Sequence, residues 1–259
     1  MTIAQRIAAR SLVPPAVGVL TLVTAFAVLE ALIRVGVVNR FVVPLPSQVL
    51  AAIPRIVAEE GVPHRFWQTT QEAIGASVLL VVVGVALGML LFRFDVLRSA
   101  CETWIAALAS APIVLMYPLF LVIFGRSATT IVMIGFIAGL PPVILKTVEG
   151  LAGTRRVLLD VGRSFRLSEA QRFRKILMPA ALPTIFVGMR VGLIFALINI
   201  VGVEFLINFG GLGQLINELA ERYDLPGTYA AIGFVILVSI LFFVVCERGE
   251  VWLLPHRQR

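Results

Sequence analysis

The chain has 259 residues, of which 59% are hydrophobic and 14% charged, and its mean hydropathy is +0.98. A soluble domain carries about 25% charged residues, so much of this surface faces something other than water, and the composition points to a polytopic helical membrane protein. Cys101 and Cys246 lie in or beside apolar runs and His64 and His256 stand apart without ligand spacing, which excludes a disulfide framework and a zinc site. The net charge of +7 follows a membrane sidedness rather than a nucleic-acid surface.

In chain order, Arg6 and Arg10 precede an apolar run over Leu12–Ile33. Ala25-Phe26-Ala27 resembles a signal-peptidase site, but the run is long enough to span, so an uncleaved anchor is expected. Five further spans are predicted over Ala73–Phe92, Trp104–Phe124, Ala128–Leu145, Thr184–Ile207 and Thr228–Cys246, all within one transmembrane domain covering residues 1–259. Each has the length that a hydrocarbon core of about 30 Å requires at 1.5 Å per residue. Only Gly125-Arg126-Ser127 separates the third from the fourth, which predicts a tight hairpin. The long loop before the second span holds an amphipathic helix over about 46–60, with Ser47 as N-cap and Pro54 as a bend, lying on the outer surface over the spans.

Three Gly-x-x-x-Gly pairs, Gly84/Gly88, Gly135/Gly139 and Gly188/Gly192, put small side chains on one helix face where a neighbouring backbone can approach. In the third span Pro112 and Pro118 predict a kink near Ser110, Met116 and Tyr117. Two readings stand there: a wall of the translocation pathway, whose freed carbonyls face water or protein, or a kink that serves packing alone. The fifth span carries Asn199 and Glu204. Glu204 is either a gate or pathway group that water reaches near the outer end, or a structural hydrogen-bonding group. Arg190, near the inner end, can snorkel to the headgroups. Phe209-Gly210-Gly211-Leu212-Gly213 reads as a turn into a short external helix, with no Lys-Ser or Lys-Thr after it to mark a phosphate loop.

Sidedness follows from the basic residues. Arg6, Arg10, Arg93, Arg98, Lys146, Arg155, Arg156, Arg163, Arg166, Arg172, Arg174, Lys175, Arg248, Arg257 and Arg259 fall on one side, against Arg34, Arg40, Arg55, Arg65, Arg126 and Arg222 on the other. The positive-inside rule makes the first side, and with it both termini, cytoplasmic.

The longest basic stretch between spans, Leu159–Pro183, is then cytoplasmic. Leu158, Leu159, Gly162 and Phe165 fit one short helix. Ser168-Glu169-Ala170-Gln171 is a capping box opening a second helix, which carries Phe173, Ile176 and Leu177 until Pro179 ends it. The pair forms a basic knob with an apolar ridge. It can rest on anionic headgroups, but its Phe and Leu positions favour a protein groove.

This stretch resembles the EAA loop of ABC importer permeases. Asp160-Val161-Gly162 stands at the first triplet, Arg166 at the glycine, Ile176 at the isoleucine and Met178-Pro179 at the closing pair. The spacing is kept while several identities are not. Val43-Pro44-Leu45-Pro46-Ser47, Phe66-Trp67, Pro118-Leu119, Phe124-Gly125, Pro179-Ala180-Ala181-Leu182-Pro183, Val203-Glu204 and Gly211-Leu212-Gly213 occur in the order seen in the nitrate/sulfonate/taurine permeases. The resemblance implies an all-α type I ABC importer (MetI-like) permease fold of six spans in the bacterial inner membrane. It also implies a homodimer, a cytoplasmic ABC ATPase dimer that binds ATP and Mg, and a periplasmic binding protein that delivers a small, anionic solute. Asp160, Val161, Gly162, Phe165, Arg166, Ser168, Phe173, Ile176 and Pro179 would form the ATPase-coupling surface, and Ser110, Met116, Tyr117, Asn199 and Glu204 the pathway or gate. At Arg166 a glycine would adopt a left-handed turn freely, whereas arginine there costs roughly 1 kcal/mol. The chain has no Gly-x-x-x-x-Gly-Lys-Ser/Thr loop, so it cannot itself bind ATP in that manner; no cofactor or metal is expected on this chain, and it is not itself expected to be an enzyme. The rival reading is a secondary transporter driven by an ion gradient, which calls for paired intramembrane acids and, often, inverted repeats; the sequence shows Glu204 and Arg190 but no evident repeat.

Overall fold

A computed structural model describes residues 3–253, with side chains described over residues 17–249. Arg6, Arg10, Arg257 and Arg259, which contribute to the sidedness count, lie outside the described side chains. The described residues form helices and no strand. In chain order these are α1 (Ile3–Arg34), α2 (Pro46–Glu59), α3 (Val62–Leu79), α4 (Val85–Arg93), α5 (Asp95–Ser110), α6 (Tyr117–Phe124), α7 (Ala128–Ala152), α8 (Arg156–Ser164), α9 (Glu169–Arg172), α10 (Met178–Ile207), α11 (Gly211–Glu221) and α12 (Leu225–Leu253). π-helical turns at Leu80–Gly84 and Phe173–Leu177 join α3 to α4 and α9 to α10 without a break. Among the described residues five helical stretches are long and apolar enough to cross a bilayer: Val17–Arg34, Val62–Arg93, Ala128–Ala152, Glu169–Ile207 and Leu225–Gly249.

The sixth expected span is not one helix. Asp95–Ser110 and Ile113–Phe124 meet at 92°. Ala111 is extended with ψ 136° and Pro112 has ψ 80°, because a residue preceding proline is pushed out of the helical region and proline donates no hydrogen bond. The single kinked span Trp104–Phe124 is therefore corrected to two helices around a corner. Pro118 plays no part in the bend; it sits in the first turn of α6, where a missing N–H costs nothing.

The centre of the bundle is the pair α7 and α10, which cross at the glycines. A Cβ on Gly192 would stand 2.7 Å from the Gly139 carbonyl oxygen and 2.6 Å from Val143 Cγ2. On Gly135 it would stand 2.7 Å from Ile200 Cγ1, and on Gly84 2.8 Å from Val143 Cγ1. All three Gly-x-x-x-Gly pairs are thus used for contacts within this chain, with α4 and α10 on either side of α7. By contrast the described side chains of α1, residues 17–34, are mostly exposed, and the helix meets α2 through Glu30, whose carboxylate accepts from the Ser47 amide at 3.1 Å and hydroxyl at 3.0 Å. Ser47 is not the N-cap expected of it: Leu45 precedes the helix and Ser47 lies inside the first turn, its hydroxyl spent on tying the two helices together.

Ion pairs fasten the outer layer. Arg55 pairs with Asp224, Arg65 with Glu218 at 2.7 Å and Arg222 with Glu60 at 2.7 Å, while Arg126 donates to the Asn208 carbonyl. Asp224 beside Arg55 pushes that guanidinium's pKa above its ordinary value. Arg34 pairs with Glu30 in the same way, so five of the outer arginines are matched by carboxylates or a helix end, while Arg40 lies over the Phe41 ring.

The α7–α10 contact should be intolerant of one methyl group. Gly192→Ala is expected to cost about 1–3 kcal/mol, as overpacking does, and to lower the midpoint of thermal unfolding in detergent. Gly233→Ala, where a Cβ meets nothing within 4 Å, should raise the midpoint, since alanine is favoured over glycine inside a helix by up to about 1 kcal/mol.

Candidate functional site

Two sites stand at opposite ends of one helix. At one end, Ser168 accepts the Gln171 amide at 3.3 Å and donates its own amide to Gln171 Oε1 at 3.0 Å, the reciprocal box expected from the sequence. The turn between α8 and α9 passes through Arg166 at φ 51°. A left-handed residue is needed there, and the chain supplies arginine where the resembled pattern has glycine. Gly162 is buried, and a Cβ on it would stand 2.6 Å from Ile176 Cδ1, so these two residues close α8 onto the following π turn.

The second helix of the knob does not end at Pro179 as expected. It runs on through the π turn into α10, and Pro179 falls in the first turn after it. The wider π turn changes the hydrogen-bond register there, so the missing proline N–H is accommodated. The coupling residues also divide by exposure. Asp160, Val161 and Phe165 face out, Phe165 being 75% exposed, together with Val157 and Leu158. Phe173 turns inward and packs with Leu177 and Met178 against the bundle core. Asp160 pairs with Arg163 at 2.9 Å, and Arg93 at the end of α4 pairs with Glu169 at 3.7 Å, so the knob and the end of α4 lie on the same side of the bundle.

At the other end of α10, Glu204 has no exposed surface. Its Oε2 accepts the Gly213 amide at 2.8 Å and its Oε1 the Thr69 hydroxyl at 2.7 Å; Thr69 Oγ1 accepts the Leu212 amide at 2.9 Å, and Gln68 Oε1 the Gly211 amide at 3.1 Å. The first three amides of α11, which no helix can satisfy internally, are all met by side chains of α3 and α10. A carboxylate at a helix N-terminus is also favoured by the helix dipole. This explains the glycines: a Cβ on Gly211 would run into the Glu204 carboxylate, and one on Gly213 would stand 2.6 Å from Glu204 Cβ. They permit close approach and not merely a turn.

Glu72 joins the buried side chains near this site without having been expected there. It lies one residue before the expected start of the second span, but α3 carries it into the bundle, where it is 7% exposed and its Oε2 is buried without a hydrogen-bond partner. The available signal was helical spacing: Thr69 and Glu72 are three residues apart and so share a helix face.

The remaining pathway candidates surround the corner of the broken span. Ser110 and Met116 are exposed and Tyr117 is half-buried against the core. The intervening turn packs on α10, where a Cβ on Gly202 would stand 3.2 Å from Val114 Cγ2. Asn199, on the neighbouring turn of α10, donates back to the Phe195 carbonyl at 2.8 Å. Glu204 does not join this wall, which favours the structural of its two readings. Below the corner, an apolar cavity of about 210 Å³ opens between α5, α7 and α10, with Lys146 on its wall. Among the described residues no cluster of histidine, cysteine or acidic side chains could hold a metal ion.

The family model described as binding-protein-dependent transport system inner membrane component matches residues 80–248. The chain is 26% identical over 216 residues to the formylaminopyrimidine transport permease protein ThiX of Halalkalibacterium halodurans, covering 83% of this chain and 86% of that protein. It is 29% identical over 194 residues to the nitrate import permease protein NrtB of Synechocystis sp., covering 75% and 70%. Among solved structures, an inward-facing conformation of the MetNI methionine ABC transporter superposes with a TM-score of 0.64 at 18% identity, covering 73% of this chain and 94% of that chain, a likeness of fold.

Removing the Glu204 carboxylate should strand a buried amide and a buried hydroxyl. Glu204→Ala is expected to lose about 1–3 kcal/mol for each donor left unpaired, read as a lower unfolding midpoint, and Thr69→Val should follow in the same direction. Arg166→Gly should work the other way. It relieves the left-handed strain by up to about 1 kcal/mol after glycine's greater freedom in the unfolded chain is subtracted, and would slow amide exchange in the α8–α9 turn.

Proposed function

Because the chain belongs to the family of binding-protein-dependent transport system inner membrane components and is the transmembrane subunit of an ABC importer, we propose that it works as a homodimer in a bacterial inner membrane. Its knob is driven by a cytoplasmic ABC ATPase that holds ATP and Mg, and a periplasmic binding protein supplies its solute. The observation that carries this reading is the knob itself. Val157, Val161 and Phe165 stand exposed on a basic cytoplasmic projection, and that projection continues as one helical path, Glu169–Ile207, through the bundle. An exposed apolar ridge rimmed by charge fits a groove in a protein partner.

Mechanically, closure of the two ATPase subunits would carry the knobs with them. The Ser168 box, the Gly162–Ile176 contact and the inward Phe173 make the knob move as a unit with α10 rather than as a loose loop. The proposed path runs past Ser110, Met116, Tyr117 and Asn199 at the corner of the broken span, and Glu204 holds α11 to α3 and α10 above it. The cargo is proposed to be a small anion. The relationship to a nitrate permease supports this.

The rival, an ion-gradient transporter, gains one observation from the Glu72–Glu204 pair, since paired buried acids are what such a protein needs. The Glu204 carboxylate, however, is taken up by the network that caps α11. Transport in sealed vesicles separates the two readings. Accumulation should require the partner ATPase and ATP, and an imposed ion gradient alone should give none.

Charge and shape on the knob should matter more to coupling than to folding. Phe165→Asp and Asp160→Arg are expected to leave the unfolding midpoint within about 0.5 kcal/mol, as exposed substitutions do, while ATP hydrolysis no longer drives uptake. The measurement is solute transported per ATP hydrolysed in proteoliposomes; normal ratios in both variants would remove the knob from the mechanism.

A further inference from the structure

Between the end of α4 and the knob lies a cavity of about 630 Å³. Its floor is apolar, formed by Met89, Phe92 and Phe173, and its rim carries Arg93, Arg163 and Arg172. Asp95 and Glu169 share the rim, so the opening is mixed in charge with arginine in excess. Arg93 and Arg172 reach Glu169 at only 3.7 and 3.8 Å, and both Arg93 and Glu169 are more than 70% exposed. Pairs of that kind hold weakly in water and can be exchanged for a stronger ligand. Arg163 has its own partner in Asp160.

The cavity's place in the fold narrows what that ligand is. Arg93 is the last residue of a membrane-crossing helix, on the side rich in lysine and arginine. Beside it Phe94 and Val96 are 54% and 86% exposed, so apolar surface runs from the rim toward the bilayer. A guanidinium rim above an apolar floor, at the level of the headgroups, matches an amphiphile with a phosphate: arginine grips phosphate oxygens in pairs, and the cytoplasmic leaflet supplies anionic lipid. We infer that this cavity is a binding site for the headgroup of an anionic phospholipid, which bridges Arg93 on α4 to Arg172 on the knob. A bound headgroup replaces the loose Arg93–Glu169 and Arg172–Glu169 contacts and braces the knob against the bundle. The binding itself does not depend on the coupling reading; its effect on transport rests on that reading.

The test uses the permease–ATPase complex in nanodiscs of phosphatidylcholine with or without phosphatidylglycerol. Lipid retention is read by native mass spectrometry, and ATP hydrolysis separately. Phosphatidylglycerol should be retained selectively. Arg93→Gln should weaken that retention roughly fivefold, and Arg93→Gln with Arg172→Gln by the product of two such factors, since each arginine near a membrane surface contributes about that much. Arg98→Gln, outside the cavity, should leave retention unchanged. Equal retention of both lipids, or no loss in the double variant, overturns the proposal. So does equal competition by inorganic phosphate alone in phosphatidylcholine discs, which would make the ligand a soluble anion. Retention by the isolated permease that disappears when the ATPase binds overturns it as well, because the cavity would then be part of the ATPase interface. If retention behaves as expected but hydrolysis is indifferent to lipid, the site stands and the bracing of the knob by the headgroup is what fails.

Discussion

Glu204 is a carboxylate without exposed surface, placed where three helices meet. An acid in that position is tolerated only if its oxygens are met, and an external helix packed on the bundle is tolerated only if its first amides are met. Each requirement answers the other. The Gly211, Leu212 and Gly213 amides find Gln68, Thr69 and Glu204, and the glycines keep the approach close enough for this to happen. The register of α11 against α3 and α10 is therefore set by directional bonds, whereas apolar burial alone would let it slide. The ion pairs of Arg65, Arg222 and Arg55 act at the margin of the same layer, with α11 and α12 held against α2 and α3.

In the bilayer the hydrophobic effect gives little reason for one helix to prefer another, so close packing must do the selecting. The glycines of α7 and α10 meet this need along most of their shared length, and α4 joins the same spine through Gly84 and Gly88, the latter against Thr147. A rigid centre leaves the conformational freedom to other parts. The 92° corner at Ala111-Pro112 is such a part: its backbone is not helical, it packs on α10 at Gly202, and it presents Ser110 and Met116 outward.

Features set by short-range rules were legible in the sequence. The Ser168–Gln171 box depends on four consecutive residues, the left-handed Arg166 on the spacing of one loop, and the spans on runs of apolar residues; these are local or compositional. What was not legible depends on partners distant in sequence. Whether two prolines bend a span or break it is decided by what the freed segment packs against, here α10 about ninety residues later, roughly counted from the corner. Ser47 has the composition of an N-cap, but Glu30 of another helix claims its hydroxyl and amide. Glu72 gave little sign of its burial because the elements around it lie far along the chain, and Phe173 reads as a ridge residue although it packs against the core.

That π turn bears on function because it removes the hinge that Pro179 would have supplied. The helical path from Glu169 to Ile207 holds 39 residues, about 58 Å at the usual rise per residue, nearly twice the hydrocarbon thickness of roughly 30 Å. One end carries the knob and the other carries Glu204. A displacement of the knob therefore has no flexible joint in which to dissipate before it reaches the capping network of α11, apart from the small register change of the π turn itself. The tight α7–α10 crossing lies between them, and it cannot slide without driving Gly139 into Gly192. In a dimer of such chains, motion imposed from the cytoplasm would reach the outer layer as a tilt of α10, with α11 following because its first turn is bonded to that helix.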